Sequence, residues 1–101
     1  MEYRLIITKN AIADITGIYD YIAKDNTNNA GTVLERINET IETIHAFPNI
    51  GGSAKQRFGI DYKYFVVLPY TYIIFYKIIK NNLYISRIID GRRDCIRLLI
   101  S

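Results

Sequence analysis

One cysteine, Cys95, occurs in the 101 residues, so no disulfide can form within the chain and a reducing compartment is the expected setting. It lies in an apolar run with no histidine nearby in sequence. That predicts a small core hydrophobe rather than a nucleophile. His45 is the sole histidine, and no Cys/His spacing suits a metal. Its place near a helix end predicts a helix-terminal charge. Asp14 and Asp20 do not readily share one helical face, so a paired-carboxylate site has no support. No apolar run approaches the roughly 20 residues of a membrane span. The start, "MEYRLIITKN", has an acidic second residue and a short apolar run, unlike a signal peptide. These shortages predict a cytoplasmic protein with no metal, no cofactor and no membrane contact.

What is present is one domain's worth of core: half of the residues are hydrophobic and 23% are charged. Charge is divided along the chain. Residues 1–50 carry four Lys/Arg against seven Asp/Glu, whereas residues 51–101 carry nine against three. An acidic half and a basic half predict a one-sided electrostatic face that steers an acidic partner or a nucleic acid.

Residues 2–8, "EYRLIIT", read as a first strand. Asn10 is positioned to cap a helix whose apolar face is Ile15, Ile18, Tyr19 and Ile22. The polar run 24–29 stops it, and Thr27 or Asn28 caps a second helix. That helix has the stripe Ala30, Val33, Leu34, Ile37, Ile41 and Ile44, and Phe47-Pro48 ends it. Residues 48–55 read as a loop. Strands follow at 60–68, 72–79 and 83–90, the second apolar on both faces as befits a central strand, with Asn81-Asn82 as the last hairpin turn. The expected fold is α+β: an N-terminal strand and an α-helical hairpin packed on one face of a mostly antiparallel four-stranded sheet. The closing "RRDCIRLLI" is compatible with either a strand or a helical turn.

The basic set Lys55, Arg57, Lys63, Arg87, Arg92, Arg93 and Arg97 converges if the start of one meander strand lies beside the end of another. Arginine forks suit phosphates or carboxylates; the plainer reading is a solvated row that blunts an exposed edge. Strict alternation places Arg87 with Leu83, Ile85 and Ile89, which demands a partner or a place near the rim: a half-buried salt bridge to Asp61 or Asp90, or a functional anion contact. Six of the nine tyrosines (Tyr62, Tyr64, Tyr70, Tyr72, Tyr76 and Tyr84) fall in the meander, as stacking rings, a protein interface or plain sheet surface.

Four stretches in order, "AIADITGIYDYIAKDN", "PNIGG", "PYTYIIFYKI" and "ISRIIDGRRD", resemble the RelE/ParE superfamily of bacterial type II toxin–antitoxin modules, which includes plasmid-stabilisation proteins. The resemblance spans nearly the whole chain and implies a helical hairpin on an antiparallel sheet. RelE-like members cleave mRNA on the ribosome with a Lys/Arg cluster, whereas ParE-like members inhibit DNA gyrase and lack that cluster. Lys63 matches the first basic position of the ribonuclease pattern, but Phe65 stands at the second. Ile73 stands where an arginine opens the central strand, Arg93 matches the arginine after the late glycine, and no C-terminal tyrosine exists. General acid–base chemistry on a 2′-hydroxyl therefore lacks its groups.

The resemblance thus implies a ParE-like gyrase inhibitor. Its target-facing corner is Arg87, Arg92, Arg93, Asp94 and Arg97, with Asp94 orienting Arg92 or Arg93. Its partner is a cognate antitoxin contacting Tyr19, Ile22, Tyr64 and Phe65 in a toxin–antitoxin hetero-oligomer. The alternative is a ribosome-dependent endoribonuclease using Lys63, Arg57 and Arg93. A third reading is a folded, antitoxin-binding but inactive toxin.

Overall fold

In the computed structural model, which describes residues 2–100, the first strand is β1 (Arg4–Ile7). Thr8 ends it and caps the next helix: its extended backbone places Oγ1 to accept from the Ala11 N–H at 3.2 Å. Helix α1 (Lys9–Ala23) therefore begins before Asn10, the cap expected from the sequence. Asn26, rather than Thr27 or Asn28, caps α2 (Thr27–Ala46), accepting from the Asn29 N–H at 3.0 Å. Ala30, Val33, Ile37, Ile41 and Ile44 are all buried, as their spacing predicts.

The region read as a loop holds more structure. A two-residue strand β2 (Gly52–Ser53) is followed by a short helix α3 (Ala54–Phe58) that ends at Gly59 with φ +73°. The meander is β3 (Lys63–Val66), β4 (Tyr72–Ile79) and β5 (Asn82–Asp90), and the chain closes in α4 (Cys95–Ile100). The β4–β5 turn is Lys80-Asn81, with Lys80 at φ 56°, because Asn82 already pairs with Ile79.

The sheet has five strands in the order β1-β5-β4-β3-β2, one more than expected. β1 runs parallel to β5 and the other pairings are antiparallel. β4 is central, and both its faces are buried. Ile74 and Tyr76 meet the helical hairpin with Ile85, Ile88 and the α2 stripe. Ile73 and Phe75 face a second, smaller core with Ala54, Ile89 and Cys95. Helices thus lie on both faces of the sheet rather than one. The short α3 and α4 escape a periodicity reading because neither reaches two full turns.

Tyr76 lies in the helix-side core, fully buried. Its hydroxyl donates to the Pro48 carbonyl at 2.8 Å and accepts the Gly51 N–H at 2.9 Å, which ties the 48–51 segment to the central strand. A Cβ at Gly51 would stand 2.7 Å from the Tyr64 carbonyl oxygen, so only glycine fits this approach. At the far end of α2, His45 donates from Nε2 to the Tyr3 carbonyl at 2.6 Å, since a carbonyl only accepts. His45 thus serves the fold as a clamp between α2 and the residue before β1.

Tyr76→Phe keeps the ring but orphans the Pro48 carbonyl and the Gly51 N–H. The expected loss is about 1–3 kcal/mol, read from the shift in urea midpoint at unchanged slope.

Candidate functional site

The candidate site grows from an irregularity in β5. The pairing runs Tyr76↔Ile85 and then Phe75↔Arg87, which leaves Ser86 as an extra residue. This bulge breaks the strict alternation. Ile85 and Ile88 consequently both enter the helix-side core, and Arg87 is freed from an aliphatic row.

β1 pairs with β5 only as far as Ile85, so the rest of that strand edge is bare of a neighbouring strand. Side chains take over there. Thr8 Oγ1 donates to the carbonyls of Ile85 and Ser86, both at 3.0 Å. Asp14, on α1, accepts the Ile88 N–H at 2.9 Å. The same carboxylate receives Arg87 Nε at 2.7 Å and Nη2 at 3.0 Å. Arg87 Nη1 then donates to the Leu98 carbonyl on α4 at 2.7 Å. The guanidinium therefore joins α1, β5 and α4. Its hydrogen bonds to Asp14 raise its pKa further and hold it charged. Neither Asp61 nor Asp90 is the partner; Asp14 is, 73 residues earlier in sequence. Arg87 enters the corner as the piece that holds it together.

Past β5 the chain turns sharply. The Gly91 N–H donates to the Thr71 carbonyl at 2.7 Å, and a Cβ there would meet that oxygen and the Ile73 side chain, each at 3.0 Å. Asp90 organises the turn. It accepts from Thr71 Oγ1 at 2.9 Å, from the Arg92 N–H at 3.0 Å, and from Arg92 Nη2 at 2.6 Å. Arg92's hydrogen bonds are the main reason its carboxyl sits well below the usual carboxylate range. Asp90 thus takes the orienting role expected of Asp94. Asp94 instead begins α4, accepting the Arg97 N–H at 3.2 Å. Arg97 falls in the last turn of that helix, where a cation complements the helix dipole. Burial pushes the Cys95 thiol up, in keeping with its core position.

Arg92 and Arg93 are both exposed. With Arg87 they line a hollow of about 480 Å³ between α1 and the end of the sheet. Arg93's side chain makes no ion pair or hydrogen bond among the described residues.

The other basic residues lie elsewhere. Lys63 borders a separate hollow of about 350 Å³ with Asp61, Tyr62 and Lys77. Arg57 lies on α3 over the rings of Phe58 and Tyr64, 5.0 and 5.4 Å from their centroids. The expected antitoxin set is divided too. Ile22 and Phe65 pack on the helix-side core, Tyr64 packs on the opposite core, and Tyr19 is half-buried on α1.

Sequence reasoning passed over Asp14, Tyr21 and Tyr72 as members of the corner. One signal was present: Ala13, Gly17 and Tyr21 recur every four residues, which puts two small residues and an aromatic on one helical stripe.

Two consequences are measurable. Asp14→Ala strands the Arg87 guanidinium and the Ile88 N–H, and should cost about 3 kcal/mol in urea unfolding. Asp14→Ala with Arg87→Met should cost less than the two single changes added. Asp90's stabilising effect is complete above about pH 4 and is lost as acid protonates it through its lowered folded-state pKa. The stability gap between the wild type and Asp90→Asn should therefore be full at neutral pH and close on acidification.

The comparisons with known proteins agree with this architecture. A family described as "ParE toxin of type II toxin-antitoxin system, parDE" matches residues 5–95. Among solved structures, one titled "Chromosomal ParDE TA system from P. aeruginosa" superposes with a TM-score of 0.72 at 21% identity, covering 86% of this chain and 94% of that one. At that identity the likeness concerns the fold. No curated protein sequence matches. With the family matched from β1 to the first residue of α4, this chain belongs to the ParE toxins of type II toxin–antitoxin systems.

Proposed function

We propose that this toxin acts by contact, inhibiting DNA gyrase without catalysing a reaction, and that a cognate antitoxin holds it inactive. The observation that carries the reading is the dispersal of the groups a ribonuclease would need. Lys63 lies opposite Tyr76, on the helix-side face of the sheet, whereas Arg57 lies on α3 against the other face. Arg93 follows the end of β5, where Asp90 pairs with Tyr72. Tyr72 and Tyr76 are four residues apart on β4, which sets the Lys63 and Arg93 ends about 13 Å apart along the strand. A phosphodiester in flight needs its base, its charge stabiliser and its acid around one atom. The exposed arginines of the corner need only a complementary surface.

An antitoxin finds apolar surface on α1, where Ile12 is 53% and Tyr21 76% exposed. Nine residues apart, the two stand on opposite flanks of α1, so an amphipathic segment laid along one flank covers Ile12 together with Tyr19 and leaves Tyr21 to the other. Of the expected set, Tyr19 lies on α1 itself, whereas Ile22 and Phe65 pack against the helix-side core and Tyr64 packs on the opposite face of the sheet.

Induction of the chain without its antitoxin should produce filamentous cells and the DNA-damage response while protein synthesis continues at first. Arg92→Ala with Arg93→Ala should relieve the growth arrest, with the protein still accumulating to wild-type level. Early arrest of translation would instead select the ribonuclease reading, and unhindered growth the inactive one.

A further inference from the structure

The hollow between α1 and the end of the sheet contains more than arginines. Tyr21 rises from α1 on one side, 76% exposed, and Tyr72 from the start of β4 on the other. Between them, Ala13 and Gly17 keep α1 low, and a Cβ at Gly17 would meet nothing within 4 Å. Ile18, Ile88 and Ile89 supply apolar lining. The volume, about 480 Å³, is in the range of small-ligand sites.

The charges in this hollow are unequal in availability. Asp14 is occupied by Arg87 and the Ile88 N–H, and Asp90 by Arg92 and Thr71. The pairing of Asp90 uses Nε and Nη2 of the exposed Arg92, which leaves Nη1 for a further acceptor. Arg93 offers its whole fork. Burial pushes the Tyr72 phenol up, so it stays protonated at neutral pH. Two phenol rings lining an open hollow, with small residues of α1 between them and guanidinium groups at the rim, match a flat ring that carries a phosphate. An acidic peptide would use the arginines, but its carboxylates gain nothing from the two rings.

We propose that this hollow binds a nucleoside phosphate whose base is unpaired, the base stacking on Tyr21 and Tyr72 and the phosphate taken by Arg92 and Arg93. The inference deepens the proposed function: it rests on the same corner and assigns its partner as an unpaired stretch of nucleic acid rather than a protein surface. Base pairing would bury the ring that the tyrosines need, so duplex is disfavoured. Stacking carries little sequence preference, while the phosphate contact makes binding salt-dependent.

Fluorescence anisotropy of the full chain with a labelled ten-residue oligothymidylate tests this, with the matched duplex and free thymidine monophosphate as competitors. The single strand should bind, and excess unlabelled strand should displace it at least about tenfold more readily than duplex does. Competition by the monophosphate would assign the site to a free nucleotide; its failure, with the strand still binding, would assign it to a chain. Tyr21→Ala, on an exposed side chain, should weaken binding at least about fivefold, and Arg93→Ala likewise. Lys9→Ala, which removes the same charge outside the hollow, should change it by less than about twofold.

No binding, equal loss in Lys9→Ala and Arg93→Ala, or wild-type binding by Tyr21→Ala would each overturn the proposal. Filamentation on induction is scored separately. Its presence in cells whose toxin binds no oligonucleotide would leave the gyrase reading standing and remove this one. Its absence beside tight, tyrosine-dependent binding would do the reverse.

Discussion

The charged clasp between Arg87 and Asp14 is the constraint on which the corner depends. A guanidinium only 21% exposed needs a partner, and Asp14, 15% exposed, supplies both oxygens. The same carboxylate also takes the Ile88 N–H that β1 is too short to reach. Where a fifth residue of β1 would have continued the ladder, Thr8 and Asp14 finish the edge with side chains. The strand edge, α1 and α4 are thus fastened at one point. The arginines that follow project from a rigid base instead of a frayed end.

That clasp explains why the exposed and inward-turned arginines of "IIDGRRD" divide as they do. Arg87 spends three donors on the fold. Arg92 spends part of its fork on Asp90, and this exposed pair contributes less to stability than to posture. Arg93 spends none of its side-chain donors among the described residues. Availability rises along the three residues as the chain leaves the sheet. A contact surface can use such a gradient, because the inner cations fix the geometry in which the outer one is presented.

Much of the scaffold was legible in the sequence because it is written in periodicity. The α2 stripe, the doubly apolar β4 and the helical hairpin all follow from spacings of 3.6 and 2. What stayed hidden depends on contacts remote in the chain. Nothing local marks Ser86 as a bulge, and that single extra residue reverses which neighbours Arg87 keeps. Asp14 looks like any polar position on an amphipathic helix until the fold carries it to β5. Asp90 and Asp94 flank the same pair of arginines, and only the hydrogen bonds of the turn show that the first orients Arg92 while the second caps α4. β2 is two residues long and α4 six, below the reach of any periodic signal. The five-stranded sheet and the second helical face followed from these short pieces. The basic corner after β5 was readable as a concentration of charge but not as a division of labour, and the two tyrosines beside it were lost among nine.

The proposed contact inhibition rests on the dispersal of Lys63, Arg57 and Arg93 over separate parts of the fold, which is compatible with holding a target rather than cutting one. The most direct measurement offers the purified toxin both substrates side by side: relaxed plasmid with gyrase and ATP, and a reconstituted translation reaction carrying a labelled message. Contact inhibition requires that supercoiling be blocked in the first while the message in the second stays whole. Efficient scission of the ribosome-bound message, with gyrase working undisturbed, would contradict it.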